Sequence, residues 1–178
     1  MQARPRLTPV SYIVLGLIEL AGGEATPYRL KQLVPQTVGH FWTVQHAQLY
    51  SEPERLAEGG LLDEEREEGG RRRRLYRLNA AGRRALDDWR ALPTGELAEL
   101  RAPGVLQLFF GADPAELAPL QAEAYRREQA ELEAIKQGDT GEEPRAPWLA
   151  LEVGIGVSRN AAELWEDIAR RHPAAERR

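Results

Sequence analysis

The chain of 178 residues contains no cysteine, one methionine, three histidines and two lysines. Without cysteine, disulfides and thiolate metal sites are excluded. His40, His46 and His172 come with no carboxylates at metal-ligand spacing, so neither a metal nor a cofactor is expected. No apolar run approaches the ~18 residues that span a bilayer. The N-terminal stretch MQARPRLTPVSYIVLGLIEL has basic residues followed by apolar ones, but Tyr12 and Glu19 interrupt it and no small-residue cleavage site follows. It reads as a helix of the fold rather than a signal peptide. The expected compartment is the cytoplasm, with no membrane partner. Signatures of catalysis are missing too. None of Ser11, Ser51 and Ser158 lies in a nucleophile elbow. Gly154-x-Gly156 sits inside an apolar helix pattern rather than a phosphate loop. Asp87-Asp88 and Glu142-Glu143 read as solvated surface. The chain is not expected to be an enzyme.

What is present is a 42% hydrophobic content, enough for a packed core, and a net charge of −4 that is unevenly spread. Residues 1–92 carry 14 basic and 12 acidic side chains, whereas residues 93–178 carry 10 and 16. A mildly basic first half beside an acidic second half points to different partners for the two.

The order of elements is helix, helix, helix, hairpin, helix. Thr8 caps and Pro9 starts an apolar-periodic segment that Gly22-Gly23 stops. Thr26-Pro27 repeats the start signal, and Pro35 bends the second helix or ends its regular part. A third helix is expected from Thr43 to Glu58. Extended segments over 61–68 and 71–78 flank Gly69-Gly70, a hairpin signal. Asn79 caps a fourth helix, Ala80–Ala91. This is the order of a helix-turn-helix followed by a two-stranded wing. Residues 93–112 read as a buried connector. Asp113-Pro114-Ala115-Glu116 opens a long helix running to about Lys136, kinked by Pro119, and Trp148–Arg171 forms the last. The expected organisation is a winged-helix DNA-binding domain over 1–92, a connector over 93–112 and a helical dimerisation domain over 113–172. The fold class is mainly α.

On a helical wheel, Leu49, Pro53 and Leu56 share the core face of the third helix. Thr43, Ala47, Gln48, Tyr50, Ser51 and Arg55 point outward. Small residues let a helix approach a major-groove floor, and Gln, Ser, Thr and Arg hydrogen-bond base edges or phosphates. The bland alternative is a polar face that meets only water; the flanking elements favour DNA. Arg71, Arg72, Arg73 and Arg74 follow the Gly-Gly turn, where arginines of a projecting hairpin can track a duplex backbone. A two-residue turn pairs Glu68 with Arg71, Glu67 with Arg72 and Glu65 with Arg74, and such cross-strand ion pairs would explain the arginines without DNA.

Leu7-Thr8-Pro9-Val10-Ser11-Tyr12-Ile13-Val14-Leu15-Gly16-Leu17, Gly39-His40-Phe41-Trp42, and Gln48-Leu49-Tyr50 leading to Arg55-Leu56 together resemble the PadR family of bacterial regulators. Tyr76–Arg83 is similar to that family's end-of-wing segment, and Leu106–Gly111 to its join with a C-terminal domain. Two features depart from it: Ala47 replaces a common Gly, and Ser51 replaces the Pro that usually follows the Tyr, with Pro53 two residues on. The resemblance implies a winged-helix dimer that represses nearby genes and is released by a small aromatic or drug-like effector. Phe41, Trp42, Phe109 and Trp148 are the aromatics nearest the domain junction in chain order, and flat apolar ligands stack on such rings. Plain core packing is the alternative for each.

In the last helix Leu151, Ile155, Ser158, Ala162, Trp165 and Ala169 form one stripe, with Leu149, Val153, Val157, Ala161, Leu164 and Ile168 beside it. Two apolar stripes need two neighbours, and the chain's own companion helix with a second copy supplies them; a two-sided core helix within a monomer is the alternative. Leu151, Ile155, Ala162 and Trp165 are expected to carry the dimer. The sequence therefore predicts a homodimeric, DNA-binding repressor on a double-stranded inverted-repeat operator. The alternative is a winged-helix protein-interaction module without DNA binding, which the low basic charge of residues 1–92 favours.

Overall fold

The computed structural model describes residues 6–66, 74–138 and 146–173. The chain divides into two compact units, Met1–Glu96 and Leu97–Arg178.

The first unit opens with α1 (Pro9–Leu20), started by a reciprocal cap: Thr8 Oγ1 accepts from Ser11 N at 3.4 Å and Ser11 Oγ accepts from Thr8 N at 2.8 Å. Gly22 and Gly23, at φ of 93° and 96°, end it in a conformation side chains resist. A two-residue strand β1 (Glu24–Ala25) leads to α2 (Pro27–Leu33), whose cap Thr26 accepts from Arg29 N. Pro35 closes that helix into a 3-10 turn, and a second 3-10 turn covers Val38–His40. Next come α3 (Gln48–Glu58), β2 (Leu62–Arg66), β3 (Arg74–Leu78) and α4 (Ala80–Arg90). The core gathers Val14, Leu15, Leu17 and Ile18 of α1 around Leu30, Leu49, Leu56, Leu62, Tyr76, Leu78 and Leu86. This is a winged-helix unit.

Its details correct the sequence reading in three places. The third helix starts at Gln48, not Thr43. No side chain caps the helix at Ala47; instead Gln45 N donates to Gln48 Oε1 at 3.1 Å just before the helix begins. The sheet has three strands in the order β1-β3-β2 rather than two. Its register is one residue off the expected one: Glu65 faces Leu75, and Arg74 faces Arg66. The Gly69-Gly70 turn and the pairs expected at 67 and 68 lie outside the described residues.

Asn79 ties the wing to α4. Its Oδ1 accepts from Ala81 N and Gly82 N, both at 3.0 Å, while its Nδ2 donates to Gly60 O at 3.1 Å and Asp63 Oδ1 at 3.2 Å. Gly82 lets the helix sit close to the start of β2: a Cβ there would fall 2.2 Å from the Leu61 carbonyl oxygen.

In the second unit, α5 (Pro103–Phe109) precedes the long antiparallel pair α6 (Pro114–Gly138) and α7 (Ala146–Arg171). Pro119 lies within α6 without ending it. Trp165 packs on Ala118 and Ala122, and Gly154 brings α7 close to Leu132. Arg126 forks onto Glu166 at 2.8 and 3.0 Å, and Lys136 meets Glu152 at 3.0 Å. The expected buried connector is not buried: residues 91–101 are exposed, as are Phe109 and Phe110. Among the described residues no helix is long and apolar enough to cross a membrane.

Candidate nucleic-acid interface

The outward face of α3 is polar and small at its start. Leu49, Pro53 and Leu56 are buried beneath it. Gln48 is half-buried, and Tyr50 and Ser51 are exposed. Ser51 Oγ donates to the Ala47 carbonyl at 3.2 Å, while Ala47 itself brings no capping side chain. Thr43 and Ala47 are exposed and stand before the helix rather than on it. Pro53 lacks an N–H for the Leu49 carbonyl, yet the helix runs on through it to Glu58.

The two described arginines expected to meet DNA are already engaged. Arg55 donates through Nε to Glu52 Oε2 at 2.9 Å and through Nη2 to Glu52 Oε1 at 2.5 Å. Burial pushes the Glu52 carboxyl up, but hydrogen bonds from Arg55 and Ser11, with the charge of Arg55, outweigh it and hold the group below its ordinary value. Arg74 pairs with Glu54 of α3 and lies 3.5 Å from Glu64 Oε1, which also takes Arg66 Nε at 2.8 Å. The opposed Arg66 and Arg74 thus share one carboxylate. Arg77 bridges Glu24 and Glu65. Arg71, Arg72 and Arg73 lie outside the described residues. The ties from α3 to Ser11 and to the wing were not anticipated. A serine in the apolar run of α1 was the available signal, because a buried hydroxyl demands partners.

The four aromatics expected near an effector have separate surroundings. Phe41 and Trp42, in the first unit, are exposed. In the second, the Phe109 and Phe110 rings meet edge to face, and the Lys136 ammonium lies 3.7 Å over the Trp148 ring. A different aromatic pair borders a cavity. Tyr12 of α1 stacks on Trp89 of α4 with centroids 4.8 Å apart, beside a cleft of about 430 Å³ lined also by Leu7, Leu61, Arg84 and Asp88.

Of the four residues assigned to the dimer, Ile155, Ala162 and Trp165 are buried within this chain and Leu151 is half-buried. In the neighbouring stripe Ala161 and Ile168 are half-buried, Ile168 against the Trp165 core, while four members stay open: Leu149 is 48%, Val153 67%, Val157 61% and Leu164 66% exposed.

Residues 14–88 match the model of the transcriptional regulator PadR-like family. Over 82 residues, covering 45% of this chain and 44% of the relative's length, the sequence is 29% identical to the negative transcriptional regulator PadR of Bacillus subtilis (strain 168). The fold is similar to that of Bacillus subtilis PadR crystallised with operator DNA, at a TM-score of 0.78 and 19% identity, covering 94% of this chain and 99% of that one. It is similar as well to the same protein in complex with p-coumaric acid, at a TM-score of 0.71 and 18% identity, covering 93% and 98%. The match to the transcriptional regulator PadR-like family falls within the winged-helix unit, over residues 14–88, and it is this part of the chain that resembles the family.

Proposed function

We propose that this protein is a sequence-specific DNA-binding transcriptional regulator that acts as a homodimer on an inverted repeat. The observation that carries this reading is the start of α3, where Gln48, Tyr50 and Ser51 stand outward over a helix anchored by Leu49, Pro53 and Leu56. Gln48 suits base edges and Ser51 suits edges or phosphates. Thr43 and Ala47 stand just before the helix, and Arg71, Arg72 and Arg73, outside the described residues, add positive charge to the stretch of sequence between β2 and β3. The likeness of the fold to a PadR crystallised with operator DNA supports DNA as the partner. The second copy joins through Leu149, Val153, Val157 and Leu164, because Ile155, Ala162 and Trp165 are spent on the chain's own core. Repression is the sense of action we favour, as in the relative named a negative regulator. A small aromatic effector enters the Tyr12–Trp89 cleft, where Arg84 suits a carboxylate and the indole suits a ring.

Fluorescence anisotropy with DNA upstream of the protein's own gene, titrated with salt, tests the reading. Gln48→Ala and Tyr50→Ala should each weaken operator binding about tenfold or more, while Arg72→Ala should weaken all sequences alike and flatten the salt dependence. Unchanged affinity in all three removes the model. For the effector, a phenolic acid should quench Trp89 and lower operator affinity; quenching without release would deny it a regulatory role. A protein-interaction module without DNA binding is the second reading, favoured by the pairing of Arg55 and Arg74 with carboxylates of α3 itself. It predicts equal, weak binding to operator and random DNA.

A further inference from the structure

The Ser11 hydroxyl has one proton to give and two lone pairs to fill, and the fold uses all three. It donates to Glu52 Oε1 at 2.6 Å and accepts from Thr8 N at 2.8 Å and Arg55 Nη2 at 3.0 Å. Arg55 grips both oxygens of Glu52 and also donates through Nη1 to the Arg6 carbonyl at 3.2 Å. Ser11 is fully buried, and the Glu52 side chain is 12% exposed. The cap that starts α1 is thereby locked to the middle of α3. Four of the five Arg55 N–H groups meet acceptors in this cluster, and replacing Ser11, Glu52 or Arg55 leaves polar groups around the buried hydroxyl unpaired.

We infer that Ser11, Glu52 and Arg55 are positioning residues that fix the pitch of the recognition helix, and that Arg55 does not serve as a phosphate ligand. The inference rests on the DNA-binding reading above but concerns residues that reading does not use. Arginine's planar fork serves four acceptor positions at once here, a task for which a lysine point charge is no substitute. A phosphate contact, by contrast, tolerates lysine. Freed from α1, α3 samples several pitches, and operator affinity falls with the fraction that remains competent. Binding to random DNA, which follows charge rather than helix pitch, stays as it was.

The test compares Ser11→Ala, Glu52→Gln, Arg55→Gln and Arg55→Lys in the full chain, with operator and random DNA over a salt series. Each variant should lose about tenfold on the operator, keep its affinity for random DNA within about twofold, and keep the wild-type salt slope. Ser11→Ala combined with Arg55→Gln should be no worse than the poorer single variant, since both break one network. Rescue by Arg55→Lys, or a shallower salt slope in Arg55→Gln, would make Arg55 a phosphate ligand and overturn the inference. Hydrogen exchange on the free protein supplies a second measurement that needs no DNA. The amides of α3 should lose about tenfold or more in protection in every variant while those of α4 keep theirs. Unaltered α3 protection overturns the network whatever the DNA result. A wild type with no preference for any operator refutes the DNA-binding reading instead, and leaves the exchange data to decide the network.

Discussion

Replacing Val153 and Val157 together with lysine should turn a dimer into a monomer. Both side chains stand open on α7, 67% and 61% exposed, in line with Leu149 and Leu164. Full burial of a valine or leucine is worth ~1.5–3 kcal/mol, so covering the open part of each contributes roughly 1–2 kcal/mol. A two-fold interface uses the stripe twice. The double substitution therefore removes four apolar contacts and about 4–8 kcal/mol, before counting the cost of burying the new charges. At tenfold per 1.4 kcal/mol, the dissociation constant rises about a thousandfold or more. Light scattering and sedimentation at micromolar concentration read the outcome, and circular dichroism verifies that the α6–α7 pair persists. Ile155→Lys is a poor probe by comparison: it buries a charge in the chain's own core, and loss of the dimer would then follow from unfolding. A doubly substituted protein that stays dimeric at micromolar concentration refutes the assignment of this stripe.

Three further outcomes follow from the first unit. Gly82→Ala should lower the melting temperature, because a Cβ placed 2.2 Å from the Leu61 oxygen and 2.8 Å from Leu78 Cδ1 overpacks the site by about 1–3 kcal/mol, outweighing the ~1 kcal/mol that alanine adds in helix propensity. Asn79→Ala removes a double cap and two wing contacts; a loss of about 1–2 kcal/mol should appear as a melting shift of roughly 4–15 °C by calorimetry. For Glu52, whose folded pKa is depressed, the stabilisation is present above the ordinary carboxylate range and lost as pH falls through the folded value. The gap in urea midpoint between wild type and Glu52→Gln should therefore be constant near neutrality and close in acid.

The helix starts at Pro9, Pro27 and Ala80 were legible because Thr8, Thr26 and Asn79 are chemically committed to capping. The start of α3 was not, since Thr43 offered a capping residue that the helix does not use: it begins after Ala47, which has no capping side chain, and the Gln48 side chain accepts from Gln45 N instead. The wing register slipped by one because charged residues dominate both strands near the turn, and their alternation does not choose between neighbouring registers. Two apolar stripes on α7 could be read from spacing alone. Which of them meets α6 could not, because that is decided by the fit of Trp165 to Ala118 and Ala122. The outward face of α3 was legible from its period, whereas the capture of Arg55 by Glu52 and of Arg74 by Glu54 depends on rotamers and on distant segments.

The strand order β1-β3-β2 leaves β2 with one row of backbone donors and acceptors unpaired within the sheet. Such a row is a template on which a further strand can grow, the first step toward aggregation. Here four of the five residues of β2, Asp63, Glu64, Glu65 and Arg66, are charged. An incoming strand would have to desolvate them and lay its side chains against a mostly acidic ribbon. Among the described residues, the wing is in this way guarded against edge-to-edge growth even when many copies crowd together.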